Sequence, residues 1–138
     1  MKQLMPVLLA AALLSACGLP DSPQDAERKA LLAGAWSYEF RDVHERPVTG
    51  TLTLTKAGIF SGTEQREGES VEDSSGEWFV TDGLLKIKTM RSNGQRLGSW
   101  QMLFFTCKLT RLEATVFECL DEPAQRSYRF RRSPTAKP

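Results

Sequence analysis

The chain has 138 residues, 41% hydrophobic and 25% charged, with 18 Lys and Arg against 17 Asp and Glu. That even balance excludes the basic footprint expected of a nucleic-acid binder. The length admits one ordinary domain and is too short for two.

The N-terminal segment is set apart by its composition. Lys2 gives it a positive start, and residues 4–14 are apolar apart from Pro6. A bilayer span takes about 20 apolar residues. This run is shorter and ends in small residues before a cysteine, the order of parts in a secretory signal peptide. No later stretch is long or apolar enough to be a second membrane segment. Leu14-Ser15-Ala16-Cys17 resembles the lipobox of bacterial lipoproteins. The resemblance implies cleavage before Cys17 and acylation of that residue, with 1–16 as a lipoprotein signal peptide and 17–23 as a lipidated tether. Two or three acyl chains anchor stably where one is marginal. Gly18, where an Asp would resemble the inner-membrane retention signal, implies the outer membrane, with the domain facing the periplasm. Removing Lys2 with the signal leaves 17 Lys and Arg against 17 Asp and Glu, a neutral mature chain.

Ser22-Pro23 reads as a helix start, with Ser22 as N-cap and Pro23 at the first helical position. Residues 24–33 are helix formers, and Gly34 ends the run. From Ala35 onward the hydrophobic period is two. Trp36, Tyr38 and Phe40 alternate with polar residues, as do Leu52 and Leu54, then Leu85 and Ile87. A strand is expected at 58–65, and Trp78 and Val80 flank Phe79 in another. A longer strand starts at Trp100, with Trp100, Met102 and Phe104 on one face and Leu103, Phe105 and Cys107 on the other. Strands at 116–120 and 128–132 complete about eight. Glycines in Lys56-Ala57-Gly58, Thr81-Asp82-Gly83 and Ser92-Asn93-Gly94 suit hairpin turns that need positive φ. Residues 64–77, which carry Glu64, Glu67, Glu69, Glu72, Asp73 and Glu77, read as a long acidic loop. Residues 133–138 read as a disordered tail. Such a pattern points to an all-β antiparallel barrel of about eight up-and-down strands over residues 24–132, with a short N-terminal helix.

Two cysteines remain after Cys17. An even count in an oxidising compartment reads as a disulfide, Cys107–Cys119. Placing the two opposite each other sets Leu109 against Phe117 and Arg111 against Thr115, leaving Leu112-Glu113-Ala114 as the turn. With His44 as the sole histidine and no C-x-x-C, no metal site is expected.

Gly34-Ala35-Trp36 resembles the G-x-W element of lipocalins and lipocalin-like bacterial domains. The run from Gly76 through Trp78, Asp82 and Gly83 to Ile87 is similar to a hairpin common in their small members. The resemblance covers most of 34–132 and implies a lipocalin-like barrel. In it, Trp36 packs across the closed end under an arginine from the last strand, Arg129 or Arg131.

The expected role is binding rather than catalysis, with no cofactor. The candidates to line a cavity for a small apolar ligand are Phe60, Trp78, Trp100, Met102, Phe104 and Tyr128, which serve equally as barrel core. The alternative is a protein-binding envelope module, such as a periplasmic enzyme inhibitor, presenting the acidic segment at 67–73 to a basic partner. Asp121 and Glu122 are adjacent and fall on opposite strand faces. Asp42 and His44 lack an accompanying nucleophile, so no catalytic set emerges.

Overall fold

Residues 21–134, described by a computed structural model, begin with helix α1 (Pro23–Leu32). The Ser22 hydroxyl accepts from the Asp25 backbone N–H at 3.1 Å, so the helix starts on the expected N-cap. The expected signal peptide at 1–16, Cys17 with most of its tether, and residues 135–138 of the expected tail lie outside the described residues.

Eight strands follow in up-and-down order: β1 (Gly34–Arg41), β2 (Pro47–Leu54), β3 (Ile59–Arg66), β4 (Glu72–Thr81), β5 (Leu84–Ser92), β7 (Leu103–Leu112), β8 (Val116–Asp121) and β9 (Arg126–Arg132). A ninth strand, the two-residue β6 (Gln95–Arg96), pairs back on β5. Sequential neighbours pair antiparallel, and β9 returns to β1 through Trp36↔Arg132 and Tyr38↔Phe130, so the sheet closes. Closure removes the free edges that an open sheet would expose. The tight turns at 82–83 and 93–94 have Asp82, Gly83, Asn93 and Gly94 at positive φ, as the hairpin reading expects.

The two ends of the barrel differ. At the end where β1 starts, the turns are short and α1 lies over them. Trp36, Leu54, Val80, Leu85, Cys107, Phe117 and Cys119 fill the interior there, beneath Leu32 of the helix. The other end is bounded by the longer connections at 42–46, 67–71, 93–102 and 122–125.

Three local expectations need correction. The acidic segment 64–77 is mostly strand: β3 runs to Arg66 and β4 begins at Glu72, with Glu64↔Glu72 and Thr63↔Asp73 in register. In a closed barrel both strands find backbone partners on each side, and that outweighs the poor strand propensity of acidic residues. The long strand begins at Leu103 rather than Trp100, because the chain turns first, with Gln101 N–H donating to the Gly98 carbonyl at 2.8 Å. The disulfide is present, with Cα atoms 5.5 Å apart, but its register differs from the one expected. Cys119 lies opposite Leu109, and Leu112 opposite Phe117, because the register shifts between Leu109 and Arg111. The extra residue, Thr110, is a β-bulge. The cystine therefore crosses the two strands diagonally, and the turn is closed by Glu113 N–H on the Val116 carbonyl at 2.9 Å.

Candidate functional site

Strand alternation decides what faces the interior. On β9, Tyr128, Phe130 and Arg132 point in, while Arg129 and Arg131 point out. The arginine over Trp36 is therefore Arg132, neither of the two expected. Its guanidinium carbon lies 4.2 Å from the centre of the Trp36 ring. Its nitrogens donate to the carbonyls of Ala114 at 2.5 Å, Leu31 at 2.9 Å and Ala33 at 3.2 Å. Trp36 Nε1 donates to the Leu32 carbonyl at 2.8 Å, and its ring meets the edge of Phe117 with centroids 4.7 Å apart. One cation thus ties together the helix end, β1 and the β7–β8 turn. Gly34 sits beside it at φ +142°, and a Cβ there would collide with the Arg132 guanidinium. The glycine of the G-x-W element has a physical reason in this chain: it leaves room for the arginine.

Asp25 secures the helix to the barrel from the other side. Its carboxylate accepts from the backbone N–H groups of Asp82 at 2.8 Å and Gly83 at 3.1 Å, and from Arg28 Nη1 at 2.7 Å. Burial pushes its pKa up. The two backbone donors, with Arg28 and Ser22, more than compensate and hold it below the ordinary 3.8.

Toward the open end the interior is not filled. A cavity of about 270 Å³ lies there. Its apolar wall is made by Leu52, Phe60, Ile87, Phe105, Tyr128 and Phe130, and Phe40 stands nearer the mouth. The aromatic rings brace one another: Phe40 and Phe105 each meet Tyr128 edge-on, with centroids 5.4 and 5.8 Å away. Arg126 lies over Phe40, its guanidinium carbon 5.5 Å from the ring centre.

One polar cluster interrupts this wall. The Tyr38 hydroxyl donates to Glu64 Oε2 at 2.8 Å, and Arg66 Nη2 lies 3.1 Å from Glu64 Oε1. Burial, then the negative charge of Glu64 and the hydrogen bond to it, raise the Tyr38 pKa well above 10.0. Tyr38 is thus held as a neutral donor. Gly50, its cross-strand neighbour, makes space for the phenol ring, which a Cβ would strike. Ser74 and Thr89, inward on β4 and β5, add polar lining.

Of the six residues expected to line a cavity, Phe60 and Tyr128 do so. Trp78 points inward but belongs to the closed half, where Nε1 donates to the Thr55 carbonyl at 2.9 Å. Met102 is half-buried ahead of β7 and is not among the lining residues. Trp100 and Phe104 are 84% and 69% exposed on the outside. Phe105 takes the place assigned to Phe104. The signal for it was available, because a buried Cys107 puts Phe105 inside and Phe104 outside on a strand of period two. Tyr38, Glu64 and Arg66 were not anticipated, since the segment that begins at Glu64 read as loop.

Asp42 and His44 meet only through the backbone, His44 N–H donating to Asp42 Oδ1 at 2.8 Å within the β1–β2 loop. Among the described residues, no three His, Cys, Asp or Glu side chains converge as a metal site.

No family model and no curated protein matches the chain. Among solved structures it is similar to a de novo designed fluorescence-activating β-barrel. The TM-score is 0.50 at 16% identity, over 79% of this chain and 98% of that one. That likeness concerns the fold, a small closed antiparallel barrel.

Proposed function

We propose that this protein is a lipoprotein anchored through Cys17 in the outer membrane and facing the periplasm, and that its barrel binds a small, mostly apolar ligand. The observation that carries the reading is the half-filled interior. Small eight-stranded barrels either pack solid or hold one small ligand. Here the closed half is packed, and the open half keeps about 270 Å³ lined by six apolar side chains around one polar cluster. Binding pockets have that make-up, an apolar wall with a few placed polar groups. The volume falls just under the roughly 300–1,000 Å³ of drug-sized pockets, so the ligand is small. Glu64, with Tyr38 and Arg66 already on its oxygens, orients whichever polar end enters. The protein acts as a carrier or sensor of that ligand rather than as an enzyme.

Native mass spectrometry of protein purified from an oxidising periplasm tests the ligand. The expected spectrum shows a discrete added mass that organic extraction removes. A bare mass before extraction, unchanged by exposure to lipid extracts, would overturn the ligand reading. The anchor is tested separately: Cys17→Ser should leave an unprocessed or soluble protein, and normal membrane fractionation of that variant would refute lipidation.

A further inference from the structure

The outside of the barrel is uneven. Over much of it the outward positions are polar, among them Ser37, Glu39, Thr49, Thr51, Arg129 and Arg131. On β4, β5 and β7 the surface changes character. Phe79 and Phe104 project outward there, with the Lys86 and Lys88 ammonium groups each 5.8 Å from the ring beside it. Trp100, 84% exposed in the connection that leads into β7, adds aromatic surface at the rim. Arg91 and Arg96, cross-strand partners on β5 and β6, add positive charge at its edge. The acidic groups on these strands are Glu72 and Asp73, at the start of β4, and Glu77, which lies opposite Lys88. Exposed aromatic residues of this size, set among cations, are an expensive surface to leave in water.

We infer that this face docks on an anionic phospholipid surface. The chemistry matches on three counts. An indole and phenyl rings are side chains that settle at the headgroup level of a bilayer. Lysine stems lie along apolar surface while their ammonium groups reach lipid phosphates. Each such cation near an anionic leaflet strengthens partitioning about fivefold.

The path of the chain favours the same occupant. Asp25 holds the start of α1 on the β4–β5 turn through Asp82 and Gly83, so the polypeptide enters the fold over the strands that carry Phe79, Lys86 and Lys88. Cys17 precedes Ser22 by five residues, a reach of at most about 18 Å. This step rests on the lipidation proposed above. An anchored barrel with so short a leash lies beside the bilayer, with Phe79 and Lys86 near the end where the leash attaches and Trp100 at the far end of the same strands.

Trp100 is a built-in reporter, because Trp36 and Trp78 are buried. The full-length mature protein is placed in vesicles of phosphatidylethanolamine and phosphatidylglycerol whose acyl chains are brominated. The fluorescence component lost in Trp100→Phe is then followed. It should shift to the blue and be quenched, and the doubly substituted Lys86→Glu, Lys88→Glu protein should lose that quenching without a change in melting temperature. If the protein floats with the vesicles while Trp100 stays unquenched, the anchor holds and the docking face is refuted; a protein partner for the patch would give this result. If the protein does not float, the anchor reading has failed. The same quenching is then measured at low salt on the unlipidated chain. Quenching there supports the face alone, and its absence overturns it.

Discussion

At the scale of single residues, two ionisable groups connect the fold to pH in opposite directions. Tyr38 has its pKa raised by burial and by Glu64, so its neutral form is favoured in the folded protein. That contribution is complete below about pH 10 and is lost as pH rises, because the unfolded chain ionises first. Tyr38→Phe should therefore flatten the loss of stability on the alkaline side, followed by denaturant titration at increasing pH; an unchanged alkaline limb would contradict the buried hydrogen bond. Asp25 has its pKa lowered, so its contribution is present above the ordinary 3.8 and disappears as pH falls through the depressed value. Asp25→Asn should weaken the protein at neutral pH and make the acid limb shallower. Amide exchange at Asp82 and Gly83, whose N–H groups it accepts, should quicken in the variant. Neither role was legible beforehand. Asp25 looked like an ordinary first-turn acid of a helix, favourable there through the dipole. Its partners are 57 and 58 residues away.

At the scale of elements, parity along a strand governs what each side chain does. The last strand offered Arg129 and Arg131 to cover Trp36, and one step of register gave the task to Arg132. Its three carbonyl partners and the tryptophan face make it the cation of the closed end. Arg132→Met should cost about 2–4 kcal/mol in urea unfolding, from a half-buried cation–π contact and lost charged hydrogen bonds. Arg129→Met should cost much less, since its partner Glu118 and its own side chain are both partly exposed. The β7–β8 hairpin follows the same logic. The pairing of Cys107 with Cys119 was readable from their even count and from the periplasmic address proposed above, but the bulge at Thr110 was not. Nothing in Leu-Thr-Arg marks an inserted residue, because a bulge is set by how strands must bend to close the barrel. Replacing both cysteines by serine should lower stability by about 3 kcal/mol in the chain-entropy description of a 12-residue loop. Equal melting of the oxidised and substituted proteins would refute that staple.

At the scale of the whole molecule, the barrel divides into a packed closed half and a hollow open half, and the proposed function lives in that difference. Thr89 lines the hollow half. Thr89→Trp should fill it and abolish any ligand-bound mass in native spectra, with the melting temperature held or raised. A variant that keeps the ligand would place binding elsewhere. The all-β class, the helix start at Ser22, the glycine turns and the strand faces at Trp36, Leu52 and Leu85 were determined by the sequence alone. These follow from local rules: period-two burial, capping oxygens and positive φ act over a few neighbouring residues. The lipobox reading at Cys17 is likewise a matter of local sequence, and it stands as a proposal. Only the tertiary structure decided that Arg132 covers Trp36, that the bulge at Thr110 shifts Cys119 opposite Leu109, and that Tyr38 and Glu64 meet within the cavity. Those outcomes depend on inter-strand register around a closed sheet, where one inserted residue turns the chain beyond it to the other face. Whether the interior is full or hollow is a matter of volume summed over eight strands, and no single stretch of chain carries it.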